Sequence, residues 1–368
     1  MSLSSTSGKL TIDLRALKEN YGILQRQVRP GCRVGAAVKA DAYGLGAAPV
    51  VQALIAAGCD DFFVSSPAEA LTLRENFRNC KIYVLNGFYN SHAALYTDHD
   101  LIPMLGSMLE IESYKAHGKK CARALPAFLS FNIRMNRLGL GAVETEKLLA
   151  EKALLAGIDV RGLLSHFACA DDPAHPLTAE QFKIFQKISA CFPGLEKSLA
   201  NSSGIFRSER YHFDLVRPGM ALYGLNPVPE KENPMRPVVR LSVPVIRVRQ
   251  VYEGASIGYG ATYRFDKDTW IATVSAGYAD GIFRSLGNCG ALYWKGYRCP
   301  IRGRVSMDLT SVDLSAVPEE ERPRPGDMME VIGDHQSADD LAHDAGTIGY
   351  EILTALGQRY ERHYIGAS

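Results

Sequence analysis

One lysine, Lys39, ends the small apolar run Val34-Gly35-Ala36-Ala37-Val38 and precedes Ala40-Asp41-Ala42-Tyr43-Gly44-Leu45-Gly46. The run has no helical period and reads as a strand buried on both faces. An amine at the tip of such a strand loses water, its pKa falls, and it becomes a nucleophile toward carbonyl compounds. Lys39 is therefore a candidate Schiff-base lysine. Four more polar groups end apolar runs further on. They are Arg137 in Arg134-Met135-Asn136-Arg137-Leu138-Gly139, His166 in Leu164-Ser165-His166-Phe167, the stretch Asn201-Ser202-Ser203-Gly204, and Arg217 before Pro218-Gly219-Met220. Arginine is a permanent cation and histidine a proton carrier. An Asn-Ser-Ser-Gly turn entering a helix offers hydroxyls and backbone N–H groups to a phosphate. Taken singly, each has an ordinary reading as a solvated lysine, a satisfied core histidine or a helix cap. Their chemistry depends on being gathered in one place.

The elements that would gather them follow a regular alternation. Strand-like segments at 33–40, 61–65, 81–86, 101–105, 125–133, 160–167, 198–201 and 215–224 alternate with helix-like ones at 49–57, 67–77, 91–98, 107–117, 143–156, 178–190 and 203–208. Pro67 with Glu69, and Ser107 with Glu110, mark helix starts. Eight strands each followed by a helix predict an α/β fold, a parallel (β/α)8 TIM barrel, in which functional groups sit at the C-terminal strand ends. Lys39, Arg137, His166, Asn201, Ser202 and Arg217 all fall there. Near 227–237 four prolines with interspersed charges read as a linker. Beyond it, alternating strands at 238–252, 270–275, 291–294, 298–305, 310–313 and 328–332, with a helix near 349–360, predict a mostly antiparallel β domain. The expected division is a barrel at 1–228, whose residues 1–12 are able to pack with the second domain, and a β domain at 229–368.

The chain of 368 residues, 46% hydrophobic and 22% charged, has room for one large and one smaller domain. A net charge of +1 with no basic run argues against a nucleic-acid surface. No stretch has the length and apolarity of a membrane span or a signal peptide, and Met1–Ser7 reads as a disordered leader. The eight cysteines are scattered without a CxxC pair, which fits reduced thiols in a cytoplasmic protein and no metal site.

The stretch Ala37-Val38-Lys39-Ala40-Asp41-Ala42-Tyr43-Gly44 resembles the pyridoxal phosphate lysine motif of the alanine racemases. The resemblance continues through Met135–Gly139, Ser165–Phe167, Ala200–Ser202, Arg217–Gly219, Tyr259-Gly260-Ala261-Thr262-Tyr263, Ala276–Gly281 and Ser306-Met307-Asp308, in order and across both domains. It implies a homodimer with active sites built from both subunits, pyridoxal 5′-phosphate as cofactor, and a small amino acid as substrate. By motif, Lys39 matches the lysine that holds the cofactor and acts as one base, and Tyr259 of the partner matches the opposing base. Tyr43, Ser202, Gly219, Met220 and Tyr350 match phosphate-binding positions. Arg217 matches the arginine at the pyridine nitrogen, with His166 beside it and Asn201 in the same cofactor-binding set. Arg137 and the backbone of Met307 match the groups that bind the substrate carboxylate. Asp171, Tyr278, Arg284, Arg304 and Ile348 match the substrate corridor. Removing a proton from one face of the α-carbon and returning it on the other requires two opposed bases. A tyrosine needs nearby positive charge to serve as one of them.

The chain departs from the family at one place. Where many members carry a lysine that is carbamylated, with an aspartate two residues on, this sequence has Ser130 and Asn132, and Arg134 replaces a glycine. The expectation is that no carbamylated lysine is used, and that Asn132 orients Arg137 directly or a small anion such as chloride fills the space. Three other readings compete. A broad-specificity racemase would commonly carry an export signal, of which this sequence shows none. A decarboxylase of the same layout would place a cysteine where Tyr259 stands, and a pyridoxal phosphate homeostasis protein would lack residues 238–368.

Overall fold

The computed structural model describes residues 8–367, so Met1–Ser7, read above as a leader, lies outside the described residues. The chain opens with β1 (Lys9–Asp13) and a helix, Leu14–Gln27, whose first turn is capped by Asp13 Oδ1 accepting from the N–H groups of Arg15 and Ala16. The following strands are β2 (Arg33–Val34), β3 (Ala36–Ala37), β4 (Asp61–Val64), β5 (Lys81–Val84), β6 (Leu101–Leu105), β7 (Leu125–Ser130), β8 (Ile158–Leu164), β9 (Glu196–Ser198) and β10 (Leu215–Val216). Strands β3 to β9 form one parallel sheet in chain order. The ring closes because β2 and β3 are two halves of one strand. Arg33–Val34 pair with β10, and Ala36–Ala37 pair with β4. Strand β10 is bonded in turn to its other neighbour through Asp214 N–H to Lys197 O and Arg217 N–H to Ala200 O.

Alternate side chains fill the ring: Ala37, Phe63, Tyr83, Met104, Phe128, Leu164 and Leu215 form one buried cluster, with Phe63 and Tyr83 stacked at 4.6 Å. Below them Tyr83 Oη donates to Asp61 Oδ1 at 2.8 Å, and Arg33 bonds both Asp61 and Glu196. The barrel is thus plugged from its floor, and its open end lies at the C-terminal ends of the strands.

The barrel departs from the sequence reading in several details. The strand expected at 215–224 stops at Val216. Pro218 has no N–H to give a ladder, the N–H groups of Gly219 and Ala221 go to Ser202 Oγ, and Met220–Tyr223 coils into a short 3-10 turn. The strand expected at 198–201 is Glu196–Ser198, because Asn201 already caps the helix Ser202–Arg207. The last barrel strand has no full helix after it. The unforeseen helix Leu14–Gln27 takes that place, burying Leu14, Leu17, Tyr21 and Leu24 toward the helix Ala47–Ala56 and the turn Met220–Tyr223.

The rest of the chain supplies β11 (Val239–Val251), β12 (Ser256–Ile257), β13 (Tyr263–Arg264), β14 (Thr269–Val274), β15 (Ala291–Trp294), β16 (Tyr297–Pro300), β17 (Thr310–Asp313), β18 (Met328–Ile332) and β19 (Glu361–Ile365). All but β12 and β13, which pair with each other in a separate hairpin, join a largely antiparallel sheet in the order β16-β15-β18-β11-β1-β19, with β14 and β17 on the far half of the long β11. Strand β1 lies in this sheet, antiparallel to β11 and parallel to β19. The single helix expected near 349–360 is Gly349–Ala355, preceded by a second helix, Ala338–Ala345. The proline-rich connection is tied down by hydrogen bonds from Asn226 N to Asp339 Oδ2 and from Asn20 Nδ2 to Arg236 O. Among the described residues no helix is long and apolar enough to cross a membrane.

Candidate active site

A cavity of about 830 Å³ opens at the C-terminal ends of the barrel strands. Lys39, Tyr43, Arg137, His166, Asp171, Asn201, Ser202, Arg217, Gly219, Met220, Ile348 and Tyr350 all line it. The cavity has the volume of a small-molecule site.

Lys39 reaches it through an uncommon backbone. The four residues after it, Ala40, Asp41, Ala42 and Tyr43, all have φ between 53° and 57°, a left-handed turn built without glycine. Each such residue costs roughly 1–2 kcal/mol, so the surroundings must hold the turn in place. Glu69 Oε1 accepts from Ala40 N–H at 2.9 Å while Oε2 accepts from Ser65 N–H at 2.7 Å. Asp41 Oδ1 accepts from Ala47 N–H at 2.7 Å. The turn brings Lys39 and Tyr43 to the same cavity. Desolvation pulls the Lys39 ammonium below its usual pKa, the Arg137 charge adds to that, and Glu69 opposes it.

Arg217, lining the same cavity, is buried and has no acidic partner among the described residues. It donates to Ser198 Oγ, to the backbone oxygens of Ser165 and Leu199, and toward His166 Nδ1 at 3.4 Å. Burial lowers its pKa to about 9, still cationic at neutral pH. His166 pays for that neighbour electrostatically. Desolvation, then Arg217, Arg137 and Lys39, push its pKa down to about 3, so it is neutral. Arginine can only donate, so Nδ1 accepts in this contact, and the other ring nitrogen, Nε2, stands 3.5 Å from Asn201 Nδ2.

Ser202 Oγ accepts from both Gly219 N–H (3.0 Å) and Ala221 N–H (3.3 Å), and among the described residues its own O–H has no acceptor. At Gly219 a Cβ would stand 2.2 Å from Tyr43 Oη, so only glycine leaves this wall open. Tyr43 itself is wedged 4.6 Å from Tyr223 and 6.4 Å from Tyr350, and burial pushes its hydroxyl pKa up to about 12. These features fit a planar aromatic phosphate. A free hydroxyl and a glycine-lined wall suit the phosphate, an amine stands ready for a carbonyl, and an unmatched buried cation suits a ring nitrogen.

Arg137 rides on the loop from Asn132 to Gly139. The expected direct contact from Asn132 is not formed. Asn132 Oδ1 accepts from Arg134 N–H (3.1 Å) and Asn136 N–H (3.0 Å), and its Nδ2 donates to Asn136 Oδ1 (2.9 Å). It shapes the loop, in which Arg134 and Asn136 have positive φ, instead of gripping the guanidinium. Arg134 pairs outward with Glu180.

Five predicted residues lie outside this cavity. Tyr259 is 72% exposed, Met307 54% and Tyr278 45%, and Arg284 and Arg304 are exposed as well. They form a group of their own. The Tyr259 turn packs on Arg304, Gly287 beside Arg284 abuts Gly303 and Arg304, and the N–H groups of Tyr278 and Ala279 bond Ser306 O and Met307 O. Sequence reasoning did not single out Glu69 as more than a helix-start acid, nor Ser198, Tyr223 or Arg359. Their signals are long-range contacts that spacing does not carry.

The profile described as the N-terminal domain of alanine racemase matches residues 12–227, and that described as its C-terminal domain matches residues 238–364. A catabolic alanine racemase of Agrobacterium fabrum is 45% identical over 360 residues, covering 98% of this chain and 92% of that protein. An alanine racemase of Brucella abortus is 43% identical over 375 residues, covering 98% and 94%. The crystal structure of alanine racemase from Bartonella henselae with covalently bound pyridoxal phosphate superposes with a TM-score of 0.93 at 38% identity, covering 98% of this chain and all of that one. The biosynthetic alanine racemase of Pseudomonas aeruginosa gives 0.91 at 35% identity, covering 98% and 99%.

Proposed function

Because this chain belongs to the alanine racemase family, we propose that it interconverts L-alanine and D-alanine on pyridoxal 5′-phosphate, as a homodimer with two opposed bases. The observation that carries this reading is the one cavity that gathers Lys39, the Arg217–His166 pair and the unused Ser202 hydroxyl.

Lys39 would hold the cofactor, and Tyr43, Ser202, Gly219, Met220 and Tyr350 would surround its phosphate, with Asn201 and His166 along the ring. When bound, pyridoxal phosphate draws electrons from the α-carbon of an amino acid joined to it and makes the α-proton acidic. Arg217, which can only donate, would meet the ring nitrogen, keep it unprotonated and disfavour side reactions such as transamination. The Lys39 amine, poised by desolvation, would move the proton on one face. Tyr259 Oη of a second copy moves it on the other. Arg137 and the Met307 backbone N–H of that copy bind the substrate carboxylate, and Asp171, Ile348, Tyr278, Arg284 and Arg304 line the way in. The exposure of Tyr259, Tyr278 and Met307, outside their own chain's cavity, supports sharing between two copies.

On this reading the working division is 1–228 for the cavity and 229–368 for the residues lent to the partner, with Ile348 and Tyr350 staying at home. The eight cysteines are all free thiols, which suits the cytoplasm. There the product would supply D-alanine for peptidoglycan or enter its breakdown. The test is a racemisation assay on the reconstituted enzyme beside Lys39→Ala. Racemisation of alanine together with a visible cofactor band that changes in Lys39→Ala is expected, and a band indifferent to Lys39 would overturn the assignment.

A further inference from the structure

The loops carrying Tyr278 and Met307 are exposed, yet they are held to one another with care. The N–H groups of Tyr278 and Ala279 bond Ser306 O and Met307 O, each at 3.0 Å. Gly277 lies so close that a Cβ there would stand 2.3 Å from Ser306 O. The buried Asp280 closes the first loop by accepting from Gly277 N–H at 2.9 Å. One side chain joins both loops. Arg359 donates through Nε and Nη2 to the two oxygens of Asp280 (2.6 and 2.8 Å) and through Nη1 to Asp308 Oδ1 (2.7 Å). The fork geometry that serves two carboxylates at once is particular to arginine. Without it, Asp280 would be a buried carboxylate short of a counter-charge, and Asp308, next to Met307, would lose its tether.

The segment holding Arg359 is anchored at its own cavity. It follows the helix Gly349–Ala355, whose Tyr350 lines that cavity, and Gly357 N–H bonds Asp280 O at 3.2 Å. Just beyond, Arg362 Nη1 donates to Gly44 O at 2.7 Å and Tyr364 Oη to Leu45 O at 2.9 Å, gripping the turn that carries Lys39. A single stretch, 349–364, therefore touches the cavity of its own chain and the loops offered outward.

We propose that Arg359 is a positioning residue that sets the Met307 and Tyr278 loops for the partner's site, so that its side chain serves the active site of the other subunit. This rests on the shared-site reading above. The test uses cofactor-loaded, full-length dimers. Arg359→Met is expected to stay dimeric with an unchanged cofactor band, while kcat/KM for alanine falls on the order of tenfold to a hundredfold through misplacement, mainly in KM. Arg359→Lys, keeping charge but not the fork, is expected to fall between. If Arg359→Met does not fold, Asp308→Asn loosens only the Met307 arm and is expected to raise KM less.

Two-tag hybrids then assign the direction. With Lys39→Ala and Arg359→Met on one chain and a wild-type partner, the one working site borrows a loosened rim, and its KM is expected to rise. With Lys39→Ala on one chain and Arg359→Met on the other, the working site borrows an intact rim and is expected to show wild-type KM. Equal KM in the two hybrids, or the reverse order, would overturn the proposal. A control hybrid of Lys39→Ala with Tyr259→Phe separates the failures. Recovered activity there alongside equal KM sinks the Arg359 inference alone, and no recovery sinks the shared-site reading and this inference with it.

Discussion

The barrel mouth and the outward rim of the β domain carry their chemically demanding residues to very different degrees of completion. At the mouth, Lys39, His166 and Arg217 are enclosed within one chain, and desolvation pulls the pKa of each below its ordinary value. At the rim, the backbones of Tyr259, Tyr278 and Met307 are fixed by turns and hydrogen bonds, but the side chains meet solvent. One region is a finished environment and the other a finished scaffold. Burial tunes a cofactor site, whereas a group that must meet substrate from the opposite face can be supplied from outside.

Substitutions should separate the two regions. Lys39→Ala is expected to lower kcat on the order of 10³-fold or more and to alter the cofactor band, because in the proposed mechanism it removes a base and an anchor together. Tyr259→Phe is expected to lower activity by roughly 10²–10⁴ while leaving cofactor binding intact. The equilibrium between enantiomers is unity, so kcat/KM must fall equally in both directions, and its signature is lost exchange of the α-proton with solvent from one enantiomer. Gly219→Ala pushes a methyl against Tyr43 Oη and is expected to cost about 1–3 kcal/mol of cofactor affinity, read by titrating the cofactor-free protein.

Charge substitutions sharpen the contrast at the mouth. A positive neighbour disfavours the ammonium, so Arg137→Gln should raise the Lys39 pKa and move the onset of amine reactivity in cofactor-free protein to higher pH. Glu69→Gln removes the opposing charge and should move it lower. Measuring Lys39 acetylation rate against pH in both variants checks the signs. Smallest of all, Arg134→Ala breaks an exposed ion pair with Glu180 and should change stability by no more than ~0.5 kcal/mol in thermal unfolding.

Much of the mouth was legible because barrel topology turns strand ends into neighbours. Once the alternation was read, Lys39, Arg137, His166 and Arg217 had to converge. The left-handed turn after Lys39 was not legible, because Ala-Asp-Ala-Tyr has no glycine to announce positive φ and is held by Glu69 from another helix. Helix Leu14–Gln27 was missed because it precedes the strands it packs beside. The strand expected to 224 ended early because Ser202, not a neighbouring strand, takes its N–H groups. Asn132 was expected to touch Arg137 and instead shapes the loop beneath it, since its three bonds go to backbone and Asn136. Arg359 was invisible because its partners Asp280 and Asp308 are far off in sequence.

The central claim is that Lys39 of one chain works opposite Tyr259 of another. Mixing Lys39→Ala and Tyr259→Phe subunits after dissociation measures it directly. Each variant alone should be nearly inactive, while random re-pairing makes half the dimers hybrid with one intact site of two. About a quarter of wild-type racemisation should therefore return. A mixture that re-pairs, as shown by tagged subunits, yet stays as inactive as its parents would contradict the account.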